Sequence, residues 1–290
     1  MKDIIVIIGP TGVGKTKLSV ELAKKLDAEI INGDSVAIYK KLNIGSAKPS
    51  KDEQKEVVHH LIDICDINEE YSVYNYQKDA RKAIEKINKK NKTIIIVGGT
   101  GLYIKAALYN YKFSSTNNKN NEYKELTNKE ILDQIKKYDP NTSVHINNRQ
   151  RLIRLLNKYD NNEEITNNKD ELLYPCKIIG LTTDRNNLYN RINKRVDNMI
   201  KEGLLDEVNK LSKDYNNSRI LNSAIGYKEF KEYFEHKKNI EDVIEEIKRD
   251  SRRYAKRQYT FFKNQLPVKW FNTNFENFDI TIKEIYEYIK

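Results

Sequence analysis

The segment Gly9-Pro10-Thr11-Gly12-Val13-Gly14-Lys15-Thr16 limits the fold of this 290-residue chain more than any other stretch. It satisfies G-x-x-x-x-G-K-[ST] at every fixed position and directly follows the apolar run Ile4-Ile5-Val6-Ile7-Ile8. Such an unbroken run reads as a strand buried on both faces. Leu18, Leu22 and Leu26, with Ala23 beside them, then recur at helical spacing. A glycine-rich turn between strand and helix aims backbone N–H groups and the positive end of a helix at one place, which makes it a phosphate site. Lys15 would add a mobile positive charge there, and the Thr16 hydroxyl is a natural ligand for Mg²⁺. A bare glycine turn is the competing reading, and the strand and helix flanks count against it.

Other apolar runs, Ala28–Ile31 and Ile94–Val97, alternate with helical stretches at 16–26 and 75–87. This alternation predicts an α/β fold: a P-loop NTPase-like parallel sheet core with helices on both faces. The second run leads into Gly33-Asp34-Ser35 and the third into Gly98-Gly99-Thr100-Gly101. Ligands of open α/β sheets bind beyond the carboxyl ends of the strands, so these ends are expected to converge with the phosphate loop on one site. The character changes between residues 113 and 174, where Asn-rich breaks (Asn117–Asn121, Asn161, Asn162, Asn167, Asn168) bracket helix-like stretches. We expect a helical insertion over 113–174 within a core made of 1–112 and 175–290. Lys177–Leu181 returns to the sheet, and helices are predicted over 187–199, 204–211 and 240–262.

Cys65 and Cys176 are too few and too distant to suggest a metal knuckle or disulfide framework, and both are expected as reduced thiols. With 38% hydrophobic and 32% charged residues and no apolar run long enough to span a bilayer, a soluble cytoplasmic protein without a membrane partner is expected. The net charge of +10 and pI near 9.2 invite a nucleic-acid partner, but the chain is rich in Lys, Asn and Ile throughout, so the arginines say more. Arg151 and Arg154 share one helix face, and six of the ten residues 248–257 are basic. Arg191 and Arg195, at i and i+4, could reach the anion bound by Lys15. A solvated helix face is the alternative for each set; together they favour contact with a phosphate backbone.

Asp34, at the tip of a strand beside the phosphate loop, could hold Mg²⁺, accept a substrate proton or cap the next helix. The run Ile94–Val97 ends in glycine where a motor or switch ATPase would place a metal-organising acid. Asp63 is a possible substitute for that acid. His59-His60 reads as structural.

In order along nearly the whole chain, these motifs resemble the bacterial tRNA dimethylallyltransferase family. The resemblance rests on 9–16, Gly33-Asp34-Ser35 with Ile38-Tyr39-Lys40, Ile44-Gly45-Ser46-Ala47-Lys48-Pro49, His59-His60-Leu61-Ile62-Asp63 and Tyr71-Ser72. It continues through Gly98-Gly99-Thr100-Gly101-Leu102-Tyr103, Arg151 with Arg154, 191–199, Ala224-Ile225-Gly226-Tyr227-Lys228-Glu229 and Tyr254-Ala255-Lys256-Arg257-Gln258. The chain departs from the family's usual His-Pro-Asn-Asp and Arg-Ala-Leu-Glu, having His145-Ile146-Asn147-Asn148 and Arg154-Leu155-Leu156-Asn157, and has Phe261 where the family often has Trp.

The resemblance implies transfer of a dimethylallyl group from dimethylallyl diphosphate to N6 of the adenosine 3′-adjacent to the tRNA anticodon, position 37. Gly9, Pro10, Thr11, Gly12, Val13, Gly14, Lys15 and Thr16 would then hold a leaving diphosphate. Asp34 would be the general base, with Lys15, Thr16 and Arg195 as the other catalytic groups and Mg²⁺ on Thr16. Contact with tRNA is expected from Asp34, Ser35, Val36 and Ala37, from Thr100, and from Gln150, Arg151, Leu152, Ile153 and Arg154 of the insertion. A monomer is expected. A small-molecule or nucleotide kinase using ATP is the alternative, and it leaves the arginine-bearing insertion unexplained.

Overall fold

The structure is a computed structural model that describes residues 3–111, 113, 123, 125–161, 171–215 and 218–290. The chain divides into two compact units, Met1–Tyr109 with Leu172–Lys290, and Asn110–Glu171. The Asn-rich stretches 117–121 and 162–168 lie outside the described residues.

The larger unit is built on six parallel strands: β1 (Ile4–Ile8), β2 (Ala28–Asn32), β3 (His59–His60), β4 (Thr93–Gly98), β5 (Cys176–Thr182) and β6 (Lys269–Asn272), in the order β3-β2-β4-β1-β5-β6. β1 lies between β4 and β5, with Ile8 level with Gly98 on one side and Gly180 on the other. Asn32 of β2 is level with Val97. The carboxyl ends of β1, β2 and β4 therefore finish at one edge of the sheet, as the strand-end argument requires.

The helices of this unit are α1 (Lys15–Leu26), α2 (Lys51–Glu56), α3 (Val73–Lys89), α4 (Gly101–Leu108), α7 (Arg185–Lys201), α8 (Leu204–Asp214), α9 (Lys231–Phe234), α10 (Ile240–Gln265) and α11 (Phe278–Ile289); α5 (Asn128–Tyr138) and α6 (Arg149–Asp160) belong to the smaller unit. Period-2 alternation sends Ile4, Val6 and Ile8 to one face of the sheet, where they pack with Tyr76 and Ile84 of α3, Ile104 of α4, Val196 of α7 and Ile247 of α10. Ile5 and Ile7 go to the other face, against Leu18 and Leu22 of α1 and Ile282 and Ile285 of α11. Each fully buried Ile or Leu contributes about 1.5–3 kcal/mol, which is why both faces read as unbroken apolar runs.

Side chains mark where several helices begin. Ser72 accepts from Asn75 N to open α3, Asp184 from Asn187 N to open α7, and Asn239 from Asp242 N to open α10. Strands β3 and β6 and helix α11 add to the elements expected from sequence. The smaller unit has its own core, in which Ile131 and Ile135 of α5 meet Leu152 and Leu156 of α6 beside Tyr123. Thr127 starts α5 through a capping box with Glu130, and Asn148 caps α6 by accepting from Arg151 N.

Candidate active site

The turn from β1 into α1 requires glycine at its end. Gly14 caps α1 with φ +92°, and a Cβ there would come within 2.7 Å of the Phe278 ring. The turn lines a cavity of about 590 Å³ together with Asn32, Asp34, Ser35, Val36, Ala37, Gly98, Arg191, Arg195 and Gln258. All of these lie in the larger unit.

Positive charge collects around the turn. Lys15 Nζ donates to Pro10 O at 2.8 Å. Burial, and after it the Arg195 guanidinium, lowers its pKa to about 8 against the opposing charge of Asp34. Arg195 donates to the Thr11 hydroxyl and is itself pulled down by burial, with Asp34 again opposing. Arg191, one turn earlier on α7, donates Nε to Gly12 O at 2.9 Å and lies 3.7 Å over the Phe275 ring. Lys15 and Arg195 are thus desolvated with one carboxylate, Asp34, set against them. Half-buried cations set together in this way favour a bound anion.

Asp34 is held by its own turn. Its N–H donates to Asn32 Oδ1 at 3.0 Å, and its Oδ1 accepts from Val36 N at 3.1 Å. Asn32 Nδ2 donates to Asp34 O and to Leu61 O, which fixes the loop against the β3 side of the sheet. Residues 35–38 form turns and no helix follows, so Asp34 is not a helix cap. Thr100 stands at the N-cap of α4 without capping it. Its hydroxyl accepts from Ser35 N at 3.0 Å and donates to Ser35 Oγ at 3.2 Å, tying the β4 loop to the β2 loop. The loops can meet because both are glycine there: a Cβ on Gly98 would lie 2.2 Å from the Gly33 carbonyl.

The remaining candidates fall elsewhere. Asp63, weighed as a metal-organising acid, is paired with Lys48 Nζ, and its backbone has φ +56°. His60 Nε2 meets Glu29 Oε2 at 2.7 Å, and His59 meets Val57 O through Nδ1 at 2.8 Å while also lining the cavity. Both cysteines are free thiols. Of the basic run 248–257, Lys248 pairs with Asp197 and Glu245, Arg249 with Glu246, and Arg253 with Asp250, while Arg257 reaches the cavity. In the smaller unit, Gln150, Arg151 and Arg154 are exposed on α6 and Ile153 is half-buried. Leu152 is fully buried in that unit's core, so this side chain packs α6 onto α5 and cannot serve the tRNA contact expected of it.

Sequence reasoning left Gln258 without a role. Buried on α10, it accepts from Thr11 N at 3.0 Å and donates to Gly99 O at 2.9 Å, joining the phosphate loop to the β4 loop. Tyr254, one turn earlier, lines the cavity with its pKa raised to about 12 by burial and by Asp34. Both fall in the motif at 254–258, which carries the family resemblance without giving either residue a role, and Gln258 acts across more than 150 positions of sequence.

Residues 37–265 match the family model described as IPP transferase. The chain is 44% identical to the tRNA dimethylallyltransferase of Anoxybacillus flavithermus, over 100% of its own length and 96% of the relative's. The chain belongs to the tRNA dimethylallyltransferase family. Among solved structures, the full-length tRNA isopentenylpyrophosphate transferase of Bacillus halodurans superposes with a TM-score of 0.79 at 38% identity, covering 100% of this chain and 96% of that one. A eukaryotic dimethylallyltransferase captured acting on tRNA gives a TM-score of 0.81 at 30% identity, covering 99% of this chain and 78% of that one. The IPP transferase match spans Asp34 to Gln258 only in part, beginning at Ala37, so the β1 turn and Asp34 precede the matched residues.

Proposed function

We propose that the cavity binds dimethylallyl diphosphate through its diphosphate and prenylates N6 of the adenosine 3′-adjacent to the tRNA anticodon. The observation that carries this reading is the convergence of the glycine turn, Lys15, Arg191, Arg195 and Asp34 on one cavity. A diphosphate would bring negative charge to Lys15 and Arg195 at the positive end of α1. In the reaction N6 attacks C1 of the allyl group, and the C1–O bond breaks with its electron pair leaving on the diphosphate. The N6 proton passes to the Asp34 carboxylate. Adenine N6 is a weak nucleophile because its lone pair is delocalised into the ring, so proton removal as the C–N bond forms is where a base gains most.

A divalent cation, Mg²⁺, fits the donor set if it arrives with the diphosphate. Among the described residues no group of three or more His, Cys, Asp or Glu side chains is placed to hold an ion. Mg²⁺ commonly binds through few protein ligands plus substrate phosphates, and the Thr16 hydroxyl, at the head of α1, suits that role. When bound it would neutralise charge on the departing diphosphate.

The adenosine must leave the anticodon stack to reach this cavity. Ser35, Val36 and Ala37 line the cavity beside Asp34, and Thr100 acts on it through Ser35. In the smaller unit, which we take to contact the anticodon stem-loop, Arg149 is engaged by Leu126 O, Asn128 Oδ1 and Tyr123 O, while the exposed Arg151 sits in the first turn of α6, where the helix end already carries positive charge. That placement costs about 0.3–1 kcal/mol without an anion and suits a phosphate backbone. We take the enzyme to act as a monomer in the cytoplasm, where its tRNA is; no described helix is long and apolar enough to cross a membrane. The test is incubation with dimethylallyl diphosphate, Mg²⁺ and unmodified tRNA, followed by nucleoside mass spectrometry for N6-dimethylallyladenosine. Phosphoryl transfer from ATP, with no dimethylallyl product from the allylic diphosphate, would overturn the reading.

A further inference from the structure

The turn at residues 43–45 holds a set of backbone donors that the reaction scheme leaves unused. Asn43 N donates to Glu207 Oε2 at 3.1 Å, Ile44 N to both carboxylate oxygens at 3.1 and 3.0 Å, and Gly45 N to Oε1 at 3.3 Å. The Tyr227 hydroxyl donates to Oε1 at 2.7 Å. Successive N–H groups of this kind form an anion nest, and here the anion is a side chain from the first turn of α8. The turn is also pinned from below. A Cβ on Gly45 would lie 2.5 Å from the Tyr227 ring, and one on Gly226 would lie 3.5 Å from the Gly45 backbone. Tyr227 is buried, and burial together with Glu207 holds its hydroxyl well above the usual range.

The residues immediately after this turn, Ser46, Ala47, Lys48 and Pro49, line the cavity. The Lys48 side chain is only 4% exposed; its Nζ donates to Asp63 Oδ1 and Tyr39 O. Burial draws its pKa down, and the charges of Asp63 and Glu207 oppose that pull. Glu207 therefore touches this wall twice, through the backbone of the turn and through the field at Lys48.

We propose that Glu207 is a positioning residue for the diphosphate donor: by filling the nest at 43–45 it fixes the cavity wall formed by residues 46–49 and the ammonium of Lys48. The inference rests on the reading of the cavity as the donor site. Every partner of Glu207 here is a donor, so a carboxylate fits and an amide does not, because its NH₂ would face a backbone N–H.

The test is steady-state kinetics on the full chain, varying dimethylallyl diphosphate at saturating tRNA and then the reverse. Glu207→Ala and Glu207→Gln should each raise the donor KM about tenfold, the scale of a lost charge-assisted hydrogen-bond set, with tRNA KM and kcat within about twofold. Tyr227→Phe removes one donor of the four and should raise the donor KM by about threefold. If Glu207→Ala does not fold, Glu207→Gln and Tyr227→Phe decide. A wild-type donor KM in Glu207→Gln overturns the proposal, and so does an equal rise in both KM values, which marks general loosening. Lys15→Ala is run in parallel. If it impairs donor use while the Glu207 variants do not, the positioning role alone fails; if it leaves donor KM and kcat unchanged, the cavity is not the donor site and both readings fall.

Discussion

Replacing Asp34 by Asn separates two roles that the site combines in one side chain. The amide oxygen can still accept from Val36 N, as Oδ1 does at 3.1 Å, so the turn that carries residue 34 should keep its shape. The base is lost, and general-base assistance is worth about 10²–10⁴ in rate. The negative charge is lost as well. Asp34 raises the pKa of both Lys15 and Arg195, so in the variant these cations face one another without it and gain more from a bound anion. At an effective dielectric of about 20, removing one nearby opposing charge is on the order of 1–2 kcal/mol, roughly a tenfold gain in diphosphate affinity. The expected signature is therefore a split: kcat falls by about a hundredfold or more while inorganic diphosphate inhibits about tenfold more tightly. Single-turnover prenylation of an anticodon stem-loop gives the first quantity and competitive inhibition the second. A kcat within about threefold of wild type would falsify the base assignment, and unchanged inhibition would show that Asp34 does not face the bound diphosphate.

The remaining expectations concern the cations and the smaller unit. Lys15 has its pKa lowered to about 8 in the free site, and a bound diphosphate must raise it, so donor affinity should be full below that value and fall by up to tenfold per pH unit above it; Lys15→Arg, whose charge does not titrate, should give a flat profile, and a matching decline in that variant would remove Lys15 as the cause. Arg151→Ala should weaken tRNA binding and reduce the slope of log affinity against log salt by about 1, as measured by filter binding across a salt series, whereas a parallel line would exclude a phosphate contact. Leu152→Ala should instead destabilise the smaller unit by about 2–5 kcal/mol, seen as earlier loss of amide protection in 128–160, with the salt slope unchanged.

Strands that are buried on both faces were legible because burial imposes one residue class. β1, β2, β4 and β5 all announce themselves as apolar runs, and their ends mark where the phosphate loop, Asp34 and Thr100 come together. The edge strands had no such signal. β3 is two half-buried histidines, and β6 has both end residues exposed, because a strand paired on one side needs no continuous apolar run. Side-chain roles were legible where they are local, as for Lys15 on its turn, and hidden where they are not. Gln258 closes a motif that carries the family resemblance but no role, and only the packing of α10 sets its amide between Thr11 N and Gly99 O. The basic run 248–257 misled in the opposite direction, since half of its charges, Lys248, Arg249 and Arg253, meet carboxylates on α7 and α10. Leu152 shows the limit of carrying a contact set over a whole segment: residues 150–154 span a helix turn and a half, so one member must face inward.

The glycine at the end of β4 explains why a phosphate loop here serves transfer. In a hydrolytic P-loop enzyme an acid at that strand end organises metal and water. In this chain the position is Gly98, and a side chain there would meet the Gly33 carbonyl at 2.2 Å. The space an acid would need is filled by the backbone of the β2 loop, which the Thr100–Ser35 hydrogen bonds hold in place. The same close approach delivers Asp34 to the cavity. The carboxylate sits one strand over, at the end of β2, where it lines the cavity beside Ser35, Val36 and Ala37. With Asp63 tied to Lys48, Asp34 is the acid this arrangement leaves facing Lys15 and Arg195. A Gly98→Asp substitution should accordingly abolish prenyl transfer by displacing the β2 loop without creating ATP hydrolysis. Phosphate release from ATP by that variant would mean that the strand end, and not the position of Asp34, sets the chemistry.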